Sequence, residues 1–150
     1  MKTTFFKAFI VFAVLFNVSC SKDDSNRSNG LPSATDGFFY GENGAATSQT
    51  VSMHYASNPF NSIFGTNSGN TVIEMNLSSI AVGSYAIDAT NAFAYIKPGQ
   101  TDMFIGSAGT ILVTGNASGK LTGTFSITSG SGIAGVTSIS GTFKNIIINL

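Results

Sequence analysis

The sequence predicts an all-β domain over residues 34–150, a single antiparallel β-sandwich or barrel of about eight strands by ordinary strand lengths. Three observations carry this. The domain is rich in Thr, Ser, Gly, Ile, Val, Phe and Tyr, and the whole chain is only 9% charged with three prolines, a composition that suits pleated, half-buried surfaces. Apolar and polar residues alternate with a period of two across 71–78 and 120–128, which places the apolar set on one sheet face. No stretch of convincing length repeats with helical spacing.

In chain order, 37–41 is a first short strand, and 48–56 a second with Val51, Met53 and Tyr55 on one face. Residues 57–70 hold Asn58-Pro59, Gly65 and Gly69 and are expected to form a loop, with Phe60, Ile63 and Phe64 plugging the core. Strand 71–78 turns Ile73, Met75 and Leu77 inward and Glu74 and Asn76 outward. Residues 80–87 read as a turn into a strand. Strand 92–96 is stopped by Lys97-Pro98-Gly99, and 102–105 is another short strand.

The C-terminal third is the most regular. Strand 109–114 directs Ile111 and Val113 to one face, and 115–119 is a hairpin loop. Strand 120–128 returns with Leu121, Phe125 and Ile127 inward. A Gly-rich loop, 129–135, leads to a last strand, 137–150. There Ile139 and Phe143 share one parity while Ile146, Ile148 and Leu150 share the other, so a bulge near Lys144-Asn145 is needed to keep both sets on the core side. Three strands repeat a small unit: Gly109-Thr110-Ile111, Gly123-Thr124-Phe125 and Gly141-Thr142-Phe143. Glycine weakens a strand unless something needs its space. Rings of Phe125 and Phe143 lying over neighbouring glycines are expected to supply that need, with a ligand groove as the alternative.

Ahead of the domain, Lys2 and Lys7 precede an unbroken apolar run, 8–16, the layout of a signal peptide. The run is too short to span a bilayer as a helix, which takes about 20 residues. Ser19 stands before Cys20, the only cysteine, so no disulfide can form within the chain. This junction resembles the lipobox of bacterial lipoproteins, with Asn17 where that motif usually has Leu. The resemblance implies a signal peptide at 1–19 and lipid on Cys20; an ordinary secretory signal cut nearby is the alternative. Two or more acyl chains anchor stably where one is marginal, each buried CH₂ contributing about 0.8 kcal/mol. Residues 20–33 contain one large apolar side chain, Leu31, and are expected to be a flexible tether. Lys22-Asp23-Asp24 resembles the export signal that takes Bacteroidota lipoproteins to the outer face of the outer membrane, with a periplasm-facing anchor as the alternative.

The domain is also similar to small β-rich lipoproteins of Bacteroidota classed only as domains of unknown function. The runs that carry the likeness are Gly-Ser-Tyr-Ala-Ile at 83–87, Ala-Tyr at 94–95, Gly-Thr-Ile-Leu-Val at 109–113, Leu-Thr-Gly-Thr-Phe-Ser at 121–126 and Ile-Ser-Gly-Thr-Phe at 139–143. The resemblance implies an envelope lipoprotein and transfers no catalytic residue.

Without residues 1–19 the chain keeps five basic residues against seven acids, which supplies no basic patch for nucleic acid. His54 is the sole histidine, and its position opposite Met53 and Tyr55 predicts solvent exposure. Asp36, Glu42, Glu74, Asp88 and Asp102 are scattered singly, whereas a glycosidase needs two carboxylates flanking one bond. Asp88-Ala89-Thr90-Asn91 offers oxygens for calcium, but an Asx turn explains it more simply. No phosphate-cradling loop, Cys/His metal spacing or nucleophile elbow occurs. These observations predict a non-enzyme with a binding, adhesion or structural role, no cofactor and no metal. Its partners are membrane lipid through Cys20 and a glycan or envelope protein; the absence of tryptophan counts against a stacking platform for sugars. The alternative is a lipocalin-like carrier of a small apolar ligand. The two differ in whether Phe38, Phe60, Phe64, Phe93, Phe104, Phe125 and Phe143 fill the interior or line a void.

Overall fold

The computed structural model describes residues 36–45 and 49–150. The described residues contain no helix and form ten strand segments: β1 (Gly37–Glu42), β2 (Gln49–Thr50), β3 (Met53–Ser57), β4 (Ser62–Asn67), β5 (Asn70–Asn76), β6 (Gly83–Ala86), β7 (Ala92–Ile96), β8 (Met103–Ala117), β9 (Lys120–Ser131) and β10 (Ile139–Asn149). Seven of them close a ring in the order β10-β3-β4-β5-β7-β8-β9 and back to β10. The architecture is a barrel. Every pairing is antiparallel except β10 with β3. β1 takes the first half of the β10 edge that β3 uses in its second half, and β6 lies beside β7 along β8.

β9 and β10 show why the Gly-Thr-Phe unit repeats. They run antiparallel with Gly141 opposite Phe125, Thr142 opposite Thr124 and Phe143 opposite Gly123. Each ring therefore lies over the other strand's glycine, where a Cβ would collide with it. Gly130 makes the same space for Phe104. The rings then form a continuous chain through the interior: Phe93 to Phe125 at 5.6 Å between centroids, Phe125 to Phe38 at 5.7 Å, and Phe38 to Phe143 at 6.2 Å, within the range of favourable aromatic pairs. Ile63, Ile73, Met75, Ile111, Leu121, Ile139 and Ile146 complete a core that is fully buried. The bulge in the last strand lies where the parity required it, between Phe143 and Ile146, with Asn145 at a φ of 52°.

Several expectations are corrected. Residues 57–70 are not a loop: after the turn at Asn58–Asn61 they form β4, which pairs with both β3 and β5. Glycine and polar residues masked a strand that alternates Ile63 and Gly65 inward with Phe64 outward. Phe60 and Phe64 are accordingly not core residues. Phe60 is 77% exposed on the turn, and Phe64 stacks on Tyr55 outside the barrel at 5.0 Å. The strand expected over 48–56 breaks at Val51-Ser52, because Ser52 N–H bonds Thr66 O and Asn67 Oδ1 while Val51 settles over Gly65. The break shifts the parity. Val51 stays buried while Met53 and Tyr55 face outward.

The strands expected at 102–105 and 109–114 are one strand, β8, carried through by irregularities at Gly106–Gly109, where Gly109 adopts a φ of 142°. β9 extends to Ser131, so the loop begins later than residue 129. Leu150, expected inward, is exposed.

Candidate functional site

The strand directions sort the connections into two ends. One end, here the loop end, gathers the turns after β1, β4, β7 and β9; the other, the base, gathers those after β3, β5 and β8. A cleft of about 530 Å³ opens at the loop end between the β4–β5 turn and the β7–β8 loop.

Both walls are built by local rules. In the β4–β5 turn, Ser68 and Gly69 adopt φ values of 50° and 82°, and Asn67 Oδ1 accepts the Ser52 N–H at 2.7 Å. In the other wall Gln100 N–H bonds Lys97 O at 2.9 Å across Pro98-Gly99, with Gly99 at 82°. Proline then glycine at the two central positions is the signature of a type II turn. The turns present Asn70, Gln100 and Thr101 as exposed amides and a hydroxyl. Their side chains make no hydrogen bond to other described residues, so they are available to a ligand rich in hydroxyl groups. Val72, Ile96 and Pro98 supply an apolar floor, and the lining contains no carboxylate and no aromatic ring.

Lys97 links the cleft to a buried polar cluster that joins β1 to β7. Its Nζ lies 2.8 Å from Glu42 Oε2, and the Tyr95 hydroxyl donates to Glu42 Oε1 at 2.6 Å. The Tyr95 ring lies 5.5 Å from the ring of Tyr40, whose hydroxyl donates to Gln49 Oε1 at 3.0 Å. Burial by itself would raise the Glu42 pKa; the hydrogen bonds from Lys97 and Tyr95 and the Lys97 charge outweigh it and hold the carboxyl below its ordinary range. Burial, reinforced by the bond to Glu42, pushes the Tyr95 hydroxyl well above the ordinary tyrosine range, and burial likewise raises Tyr40. Two fully buried phenols that stay protonated beside one ionised acid make a fixed strut from β1 to β7.

The other acids stay apart. Asp36 accepts from Asn145 Nδ2 at 2.7 Å, and Glu74 accepts from Asn76 Nδ2 at 2.9 Å. Asp88 Oδ1 accepts the N–H groups of Thr90 and Asn91 at 2.7 and 2.9 Å, an Asx turn as expected, and those two bonds lower its pKa. Asn91, buried, ties that turn to Ser78 N–H and Ala86 O. Asp102 is exposed. Among the described residues no three His, Cys, Asp or Glu side chains cluster to hold a metal.

His54 departs from expectation: the parity shift at Ser52 turns it from the solvent face, leaving it half-buried with Nδ1 lacking a hydrogen-bond partner among the described residues. Burial disfavours the imidazolium and lowers the pKa below 6.5. As the only histidine it gives one imidazole signal in a proton–carbon NMR titration. The expected midpoint lies below that of a histidine in the unfolded chain, and a midpoint at or above 6.5 would contradict this placement.

Cys20, Lys22, Asp23 and Asp24 lie outside the described residues. Sequence reasoning missed Lys97, Asn70 and Gln100 as neighbours across a cleft; the one local signal was the Pro98-Gly99 turn, which says where a loop folds and not what it faces. Comparison with known proteins finds no matching family model, no similar curated protein and no similar solved structure.

Proposed function

We propose that the chain is a lipoprotein held in the outer membrane through Cys20 and displayed at the cell surface, and that its barrel is a non-catalytic module that binds a neutral glycan or glycan-bearing envelope partner at the loop end. The observation that carries the binding reading is the cleft of about 530 Å³, walled by free amide and hydroxyl groups on two well-braced turns. Amides and hydroxyls on rigid turns pair with sugar hydroxyls at little ordering cost. The lack of a carboxylate in the lining supports binding over hydrolysis, and the lack of a ring means that hydrogen bonds rather than stacking would set affinity. The continuous aromatic core weighs against the alternative, a lipocalin-like carrier, whose interior must accommodate its cargo.

Intact cells carrying the full chain test both halves of the reading. External protease is expected to digest the native protein and to spare a variant with Lys22, Asp23 and Asp24 replaced by Ala until the cells are lysed. The native cells are expected to bind a panel of immobilised neutral glycans, and an Asn70→Ala/Gln100→Ala pair is expected to weaken capture roughly tenfold or more, at about 1 kcal/mol for each lost hydrogen bond. Protection of both proteins until lysis overturns surface display. Capture unaffected by the double substitution overturns the assignment of the cleft.

A further inference from the structure

We infer that the base of the barrel, opposite the cleft, is a docking surface for the lipid bilayer. The inference rests on the anchoring through Cys20 proposed above and adds which end of the barrel meets the membrane. At the base, Phe60 is 77% exposed on the β3–β4 turn, and Val82 is 63% exposed on the segment between β5 and β6. A recess of about 240 Å³ at the same end has Ile80, Ile148 and Leu150 in its walls. Hydrogen bonds lace these connections into one rigid surface: Asn58 N–H to Asn149 O, Leu77 N–H to Asn61 O, Ile148 N–H to Gly119 O, and Asn116 Nδ2 to Ile80 O. The apolar side chains are therefore presented by a braced scaffold.

Charge is arranged differently at the two ends. At the base, turn residues 58–61, 78–82 and 118–119 contain no Asp, Glu, Lys or Arg, and the exposed Lys120 that opens β9 stands beside them as a cation, whereas the loop end carries the acids Glu42 and Asp102 with Lys97. Apolar tips of this kind enter the apolar side of a lipid interface while Lys120 beside them stays at the level of the anionic headgroups, so no ion is buried. The base also suits lipid better than a second copy of this chain. Stable protein interfaces use roughly 20–30 residues a side, and the tips of a few turns offer fewer.

The chain's route agrees. Asp36 bonds Asn145, four residues before β10 ends at Asn149, and β1 runs from there toward the loop end. Fifteen residues, 21–35, separate Cys20 from Asp36. Even fully extended they reach about 50 Å, so a lipid on Cys20 keeps the base within collision distance of the bilayer, and docking becomes an intramolecular event. Seating the base on lipid directs the cleft away from the membrane.

The chain contains no tryptophan, so a single introduced indole reports its own surroundings. The experiment uses the full lipidated chain reconstituted in vesicles of phosphatidylethanolamine and phosphatidylglycerol, with and without brominated acyl chains. Three variants are compared: Phe60→Trp and Val82→Trp at the base, and Thr101→Trp at the loop end. All are expected to float with the vesicles. Emission from both base positions is expected to shift to the blue and to be quenched by bromine, and that from position 101 to do neither. Flotation with no quenching at either base position overturns the docking surface and leaves the anchor standing. Equal quenching at both ends overturns the orientation. A blue shift at the base without bromine quenching, accompanied by crosslinked dimers, assigns the face to a second copy and overturns the lipid assignment. Failure of the chain to float overturns the anchoring itself, and the docking with it.

Discussion

Replacing Gly141 with Ala is expected to destabilise the barrel by about 3 kcal/mol, at the upper end for overpacked sites, and to lower Tm by roughly 12 °C at about 4 °C per kcal/mol for a domain of this size. The added Cβ falls on the ring of Phe125 and on the carbonyl oxygen of Phe39 in the neighbouring strand. A ring can rotate, but that carbonyl belongs to the β1–β10 ladder and cannot retreat without opening it. Gly123→Ala is expected to cost a similar amount, because its Cβ meets Phe143 and Leu112 O. Gly115→Ala is the control. Its nearest neighbour is Thr122 Cβ at 3.6 Å, an ordinary contact, and its effect is expected to stay within about 0.5 kcal/mol.

Thermal and urea denaturation of the three variants measure these differences. Phe125→Leu combined with Gly141→Ala is expected to cost less than the two changes summed, since the residues share one space. Simple additivity would mean that the ring is not what Gly141 accommodates.

Glu42→Ala is expected to be the most damaging change to a charged residue, at about 2–3 kcal/mol near neutral pH. The loss comes mainly from the buried Tyr95 hydroxyl, which is left without its charged acceptor. The Lys97 contact adds little, because that side chain is 40% exposed and water screens it. Glu42→Gln retains an oxygen for Tyr95 and is expected to cost about half as much.

The pH dependence separates charge from packing. The folded carboxyl titrates below its ordinary 4.5, so the unfolded chain holds the proton more tightly. The stabilisation by ionised Glu42 is complete above the ordinary value and is lost as pH falls through the lowered one. Urea midpoints of the native protein and of Glu42→Gln are therefore expected to differ at pH 7 and to converge in the acid window below 4.5. A gap that stays constant from pH 7 to pH 3 would mean that shape, and not charge, is what Glu42 contributes.

The Gly-Thr-Phe repeats were legible because the rule behind them is local to two paired strands: a large inward ring needs an absent Cβ opposite. The bulge at Asn145 was legible for a related reason, since the parity of Phe143 and Ile146 cannot be reconciled without an extra residue. β4 was not legible. Its pattern of Ile63, Phe64 and Gly65 reads as a strand only once β3 and β5 lie on either side to take its hydrogen bonds. The faces of Met53, His54 and Tyr55 were misread for the same kind of reason, because the kink at Ser52 is made by Thr66 and Asn67, which follow it by more than a dozen residues.

What the sequence determined by itself is the all-β class, the inward set of most strands and the reciprocal glycine and phenylalanine pairs, because composition and a period of two act between near neighbours. Only the tertiary structure decided that the sheet closes as a barrel, that Glu42 of β1 meets Tyr95 and Lys97 of β7, and that the turns at Asn67–Asn70 and Lys97–Gln100 wall one cleft. Glu42 and Tyr95 are 53 residues apart in the chain. No local periodicity encodes that meeting; it follows from the closure of the ring that holds β7 and from the pairing of β1 on the edge of β10.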